Sequence, residues 1–232
     1  ILKDLSKLKE AELYTRKSIE LKPDFAEAHC NLGNILRELG KLKEAELYIR
    51  EAIKLQPIFA NAHLTLGIIM MNLGKIKEAE IYTRKAINLN SKDAESYTNL
   101  GGILTFLGKS AEAENITREA IKLNPYDAAS YTNLGSILKT LGKIEEAEIA
   151  TRKAIKLKPS FSKAHINLGE ILFDLGKPKE SSIAEWNAIK VHPSYDFIQS
   201  YRKNAKLINK TAFYIYSYTI YNHFRPIIEI SP

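Results

Sequence analysis

The chain has 232 residues, is 45% hydrophobic and 26% charged, and carries a net charge of +7. This balance excludes an intrinsically disordered chain, and the single cysteine excludes an intramolecular disulfide. The longest apolar run, over 212–221, is too short for the roughly 20 residues that a membrane span needs. We therefore expect a cytoplasmic chain with no membrane partner.

A 34-residue period organises most of the chain. Each row carries Leu-Gly at its seventh and eighth places, beginning with Leu32-Gly33, and a second Leu-Gly seven residues later, beginning with Leu39-Gly40. Such self-similarity is typical of a repeat architecture. We predict five repeats over 26–59, 60–93, 94–127, 128–161 and 162–195.

The first predicted element covers residues 1–25, which fit the second half of an earlier, truncated repeat. Ala11 and Pro23 keep the register of the later rows, and Ser6 stands where those rows have a turn glycine. Because this half-repeat has no first helix, we expect the chain to be a fragment of a longer protein.

Each complete row encodes two antiparallel helices. In the row from 26 to 59, apolar residues recur at helical spacing up to Gly40, where glycine tolerates the left-handed conformation that ends a helix. The pattern resumes over 42–55, and Pro57 prevents continuation. Gly33 and Ala45 are small enough to let the two helices approach closely. One pair cannot cover its own apolar face, so neighbouring pairs must stack into an all-α solenoid.

These residues resemble the tetratricopeptide repeat (TPR) family, whose signature is an aromatic residue, Leu-Gly, a large apolar residue, Ala, a second aromatic residue, Ala and Pro. Two places depart from that signature. The first aromatic place holds His29, His63 and His165, and the later one holds Ile49, Thr83, Thr117, Thr151 and Glu185. The resemblance implies a right-handed superhelix whose first helices line a concave groove for extended peptides.

A polar side chain recurs at one position of the predicted groove. The residue before the first Leu-Gly is Asn31, Thr65, Asn99, Asn133 and Asn167 in the five rows. An asparagine amide has an acceptor and two donors, so it can bind a peptide main chain without reading side chains. This row of side chains resembles the asparagine ladder in the superhelix of the O-linked N-acetylglucosamine transferase family. Alternatively, the asparagines reflect repeat ancestry and remain solvated.

Further candidate groove residues are Asn34, Arg37 and Lys139. The two cations lie three repeats apart, which disfavours a clamp for an acidic C-terminus because such a clamp needs cations that converge. Met71, Phe106 and Phe173 would form either apolar pockets or contacts between repeats. The three histidines lie in different rows, so we expect packed histidines and no metal site.

Arginine also recurs, at Arg16, Arg50, Arg84, Arg118 and Arg152. Such a basic stripe would suit phosphates, but glutamates accompany it in nearly every row. Mixed charges at these spacings are typical of solvated helix faces with weak i,i+4 pairs, so we expect no nucleic-acid partner. No phosphate loop, nucleophile motif or cofactor site is present in the sequence, so we expect no catalysis within this segment.

The Leu-Gly signature stops near residue 196, and 196–232 holds eight of the 21 aromatic residues. We predict a C-terminal helical cap there, with an aromatic strand that opens a further domain as the alternative. The function predicted from the sequence is a scaffold that binds a protein or peptide. The alternatives are the substrate-recruiting arm of an enzyme such as a glycosyltransferase, and a self-association module that uses the aromatic tail.

Overall fold

The computed structural model describes residues 2–191, which form eleven α-helices. In chain order they are α1 (Leu2–Leu21), α2 (Ala26–Glu38), α3 (Leu42–Leu55), α4 (Ala60–Asn72), α5 (Ile76–Leu89), α6 (Ala94–Phe106), α7 (Ser110–Leu123), α8 (Ala128–Thr140), α9 (Ile144–Leu157), α10 (Ser162–Asp174) and α11 (Pro178–Val191). The predicted cap over 196–232 lies outside the described residues.

Even-numbered helices are the first helices of the repeats, and the odd-numbered helices from α3 onward are the second helices. The turn between them uses a glycine with positive φ, such as Gly40 at 75°, as the sequence predicts. Gly33 provides the close approach of α2 and α3, because a Cβ there would overlap the Ile49 side chain and lie 3.3 Å from the Ala45 carbonyl oxygen.

The N-terminal helix α1 is longer than the other second helices, with 20 residues against 14 in α3. It runs without a break through Ser6. A serine does not favour the left-handed conformation that glycine adopts at this place in the later repeats, so the helix continues instead of turning.

The core is a continuous series of small clusters between neighbouring helices. Leu32, Leu36 and Ile49 are fully buried in the first repeat, and Ile137 and Ile171 occupy the same interior further along. The fold is therefore the predicted all-α solenoid, in which burial is local and each repeat depends on its neighbours.

The two kinds of helix lie on different sides of a curved array. Each first helix contacts the first helix of the next repeat, from α2 with α4 to α8 with α10, whereas no two second helices of residues 2–191 approach as closely. The first helices are thus on the inner, concave side. Within the described residues, no helix is long and apolar enough to cross a membrane.

Candidate functional site

The inner amide ladder is the set of residues that precede Leu-Gly on the first helices: Asn31, Thr65, Asn99, Asn133 and Asn167. Two members share one geometry. Asn133 Nδ2 donates to the Thr98 carbonyl oxygen and Asn167 Nδ2 donates to the Thr132 carbonyl oxygen, each over 3.2 Å. Each bond joins an amide to the preceding first helix, so it fixes the side chain while the amide keeps a second N–H. The oxygen of Asn167 makes no hydrogen bond within residues 2–191, whereas that of Asn133 accepts one from Lys163.

Within residues 2–191, the other two asparagines do not bond a preceding first helix. Asn99 Nδ2 donates over 3.0 Å to the Glu95 carbonyl oxygen of its own helix. Asn31, in the first complete repeat, is exposed to solvent. The ladder is therefore most ordered toward the C-terminal repeats, where Lys163 Nζ also lies 3.5 Å from Asn133 Oδ1.

Thr65 interrupts the ladder, as its side chain is only 2% exposed. Its hydroxyl donates to Asn34 Oδ1 over 3.3 Å, and Asn34 Nδ2 in turn donates to the Cys30 carbonyl oxygen over 3.3 Å. Both predicted groove residues are thus hydrogen-bonded to their own chain. The pair joins the first two repeats, so this stretch of the inner face offers fewer polar groups than the stretch from Asn99 onward.

The predicted groove cations do not form a clamp. Lys139 Nζ is 2.8 Å from a Glu170 carboxylate oxygen and 3.6 Å from one of Asp174. Arg37, on a distant helix, lies 3.7 Å from Glu38. Neither cation converges with the other on one point, in agreement with the spacing in the sequence.

Two aromatic side chains stand out from the first helices. Phe106 is 71% exposed and Phe173 is 54% exposed, whereas Met71 packs against the core of the first repeats. Large exposed apolar side chains beside polar groups are typical of binding surfaces. Phe106 and Phe173 therefore remain candidate contacts, and Met71 is mainly a packing residue.

The second helices carry a different ladder, which we call the outer ion ladder. In α1, α3, α5, α7 and α9 a glutamate pairs with the arginine four residues later, at 2.7–2.8 Å: Glu12–Arg16, Glu46–Arg50, Glu80–Arg84, Glu114–Arg118 and Glu148–Arg152. The same arginine reaches a glutamate of the next second helix, at 2.5–4.0 Å: Arg16–Glu44, Arg50–Glu78, Arg84–Glu112, Arg118–Glu146 and Arg152–Glu180.

A lysine completes each unit of the outer ion ladder. It follows the turn glycine of the next repeat and pairs with the first glutamate at 2.8–3.6 Å: Lys41–Glu12, Lys75–Glu46, Lys109–Glu80, Lys143–Glu114 and Lys177–Glu148. These cations lower the pKa of Glu12, Glu80 and Glu114, the lysine hydrogen bond being the largest cause in each. The arginine stripe is therefore neutralised within the array.

Sequence reasoning finds the pairs four residues apart but misses the pairs that join repeats. The sequence does contain a signal for the pairs that join repeats, since a lysine follows the second Leu-Gly of every row, as in Gly40-Lys41 and Gly74-Lys75. What the sequence does not show is the rotation between repeats. That rotation brings a residue within reach of another one 28 or 29 positions away.

Two side-chain types that often carry chemistry are structural here. His29, His63 and His165 are buried, and each Nε2 lies 2.8–2.9 Å from the carbonyl oxygen of the proline before its repeat. An Nε2–H donor satisfies this geometry, and burial lowers the pKa of His63. Cys30 is buried as well, which raises the pKa of its thiol to about 11.

This geometry defines a class, a helical-repeat protein with one self-paired face and one face that presents polar groups. Models of the tetratricopeptide repeat match residues 26–59 and, in a second model, 60–93, 94–127 and 128–161. The chain therefore belongs to the tetratricopeptide repeat family and is a protein-interaction scaffold in the general sense of that family.

Solved structures share this fold. TTC0263, a thermophilic TPR protein from Thermus thermophilus, matches with a TM-score of 0.69 and 20% identity over 77% of this chain and 97% of its own. YrrB, described as a TPR protein with an unusual peptide-binding site, matches with a TM-score of 0.59 and 22% identity over 82% and 97%.

The APC/C complex Cut9–Hcn1 matches with a TM-score of 0.78 and 22% identity over 86% of this chain and 40% of that chain. No curated protein matches the sequence.

Proposed function

We propose that this chain binds an extended peptide of a partner protein on its concave face, and that Asn31, Asn99, Asn133 and Asn167 bond the peptide main chain. The observation that carries the proposal is the shared geometry of Asn133 and Asn167, each fixed by one 3.2 Å bond to the preceding repeat. A fixed amide loses less side-chain entropy on binding than a free one. The remaining donor and acceptor suit a peptide N–H and C=O.

The two exposed aromatic residues support the same face. Phe106 and Phe173 lie on first helices, as do Asn99 and Asn167, so main-chain bonds would be accompanied by apolar contacts with peptide side chains. We infer a groove that tolerates many sequences and favours apolar residues where these rings lie. We expect this cytoplasmic segment to bind its partner without catalysing a reaction.

A random library of 12-residue peptides, selected on the full chain, provides the probe. Selected peptides should compete with one another for one site. The double variant Asn99→Ala/Asn133→Ala should bind them about thirtyfold more weakly, because each of the two lost hydrogen bonds contributes about 1 kcal/mol. Fluorescence anisotropy of a labelled selected peptide measures the dissociation constant.

A matched control comes from the second helices. Asn88 and Asn115 are exposed asparagines of α5 and α7, so Asn88→Ala/Asn115→Ala removes the same chemistry from the outer side. Its affinity should equal that of the unmodified chain. Equal affinity in both double variants, or a library that yields no binder, would remove the amide ladder from the function.

A further inference from the structure

One place on the second helices changes from a large residue to a small one along the chain. It holds Tyr48, Tyr82, Ile116, Ala150 and Ala184 in the five repeats. In the first two repeats the tyrosine hydroxyl accepts a hydrogen bond from Nη1 of the preceding ladder arginine. The distances are 2.9 Å from Arg16 to Tyr48 and 3.0 Å from Arg50 to Tyr82.

The tyrosine ring lies beside a histidine and the same arginine in these repeats. The ring centroids of His29 and Tyr48 are 5.9 Å apart, and the Arg16 guanidinium lies 5.5 Å from the Tyr48 centroid. The second repeat repeats this arrangement around Tyr82, at 6.4 Å from His63. Arginine and histidine together therefore form a binding site for a tyrosine side chain, which we call the tyrosine seat: Arg16 with His29, and Arg50 with His63.

The fifth repeat keeps the seat and lacks the tyrosine. Arg152 and His165 occupy the places of the arginine and the histidine, but the tyrosine place holds Ala184. A cavity of about 470 Å³ lies there, lined by Arg152, His165, Ala184, Leu168, Leu172 and Ile183 among others. Its volume falls in the range of about 300–1,000 Å³ that is typical of ligand sites.

The donor of the seat is also available. Arg152 bonds Glu148 through Nε and Glu180 through Nη2. Within the described part of the chain, Nη1 of Arg152 makes no hydrogen bond. In the first two repeats the equivalent Nη1 donates to the tyrosine hydroxyl. The fourth repeat is less complete, since Tyr131 replaces the histidine beside its cavity of about 400 Å³.

We propose that the Ala184 cavity binds a tyrosine side chain of a partner protein, with the ring against His165 and the hydroxyl accepting a hydrogen bond from Arg152 Nη1. Arg152, Lys156 and Glu180 line the cavity. The charge of Arg152 is already paired with Glu148 and Glu180, which favours a neutral phenol over phosphotyrosine as the partner of this side chain. Ile183 is half exposed at the rim and would contact residues beside the tyrosine. This site is lined by α9, α10 and α11 and includes none of the asparagines of the inner amide ladder.

The test uses p-cresol, which is the tyrosine side chain alone, and toluene, which lacks the hydroxyl. Titration of the full chain, followed by NMR at the backbone amides of residues 165 and 184, should show saturable binding of p-cresol. Toluene should bind about tenfold more weakly, because it loses a hydrogen bond to a charged donor. Arg152→Met should abolish this preference.

Ala184→Tyr restores the residue of the first two repeats and should abolish p-cresol binding by filling the cavity. Ala150→Tyr is the matched control, because it fills the neighbouring place and should leave binding at residues 165 and 184 unchanged. If Ala184→Tyr does not fold, the ratio of p-cresol to toluene affinity in Arg152→Met still decides. Absence of p-cresol binding, unchanged binding in Ala184→Tyr, or a preference that survives in Arg152→Met would overturn the proposal.

Discussion

The inner and outer faces of the array carry ladders with the same 34-residue period, yet they use their polar groups differently. On the outer face, Glu114 bonds Arg118 and Lys143, so its charge is used within the protein. On the inner face, Asn133 donates one N–H to the preceding repeat and keeps its second N–H. Periodicity alone thus does not distinguish a ladder that holds repeats together from one that is available to a partner.

The largest expected effect concerns the junction between the two kinds of helix. Gly101→Ala should lower the free energy of unfolding by about 1–3 kcal/mol, since the new Cβ would overlap the Thr117 side chain. Its neighbour Gly102 is the control: a Cβ there would meet only Asn133 Nδ2, at 3.6 Å. Gly102→Ala should raise stability by about 0.5–1 kcal/mol. Urea unfolding checks both, and equal effects would contradict the packing described.

A smaller effect distinguishes members of the inner ladder. Asn167→Ala should cost about 0.5–1.5 kcal/mol of unfolding free energy, because it removes a bond to the Thr132 carbonyl oxygen. Asn31→Ala should not lower stability, because Asn31 is exposed and alanine favours the helix. Thermal unfolding of the two variants measures the difference. Equal melting temperatures would show that the 3.2 Å bond contributes nothing to repeat stacking.

The outer face should respond to the loss of one carboxylate that joins two repeats. Glu114→Gln removes the pairs with Arg118 and Lys143 and should cost about 0.5–1 kcal/mol at low salt. Glu119→Gln is the control, because Glu119 pairs with Lys122 of its own helix, at 2.6 Å. Adding salt should shrink the first effect. A loss as large in Glu119→Gln would mean that the pairs between repeats are not special.

The smallest effect is the pH dependence of that same ladder. The pKa of Glu114 in the folded chain is lowered from 4.5 by Lys143 first and then by Arg118. Its contribution is therefore fully present above about pH 4.5 and is lost as the pH falls through the lower folded pKa. The stability difference between the unmodified chain and Glu114→Gln should shrink over that interval. A difference that stays constant down to about pH 3 would contradict the assignment.

Much of the fold follows from local chemistry that is visible in the sequence. The second helix of the first complete repeat begins at Leu42 and ends at Leu55, where the apolar spacing places it, and Gly40 ends the preceding helix. The sequence also shows that Ser6 replaces the turn glycine, but only the structure shows that a helix continues through this residue. Local patterns fix these elements because each depends on a few neighbouring residues.

The two faces are harder to predict, since they depend on how one repeat is rotated against the next. The sequence places Thr65 in the amide ladder, but the structure buries it against Asn34 of the previous repeat. The sequence shows that the residue at the place of Tyr48 becomes small by Ala184. It does not show the resulting cavity, because that cavity depends on Arg152 and His165, which approach it from two other helices.

The central claim is that the inner amides bind a peptide while the outer face is occupied with its own charges. The most direct measurement follows the side-chain Nδ2 resonances of all asparagines by NMR while a library-selected peptide is added. We predict shifts at Asn31, Asn99, Asn133 and Asn167, and none at Asn88 and Asn115. Shifts at Asn88 and Asn115, or no change at the inner four in a saturated complex, would contradict the account.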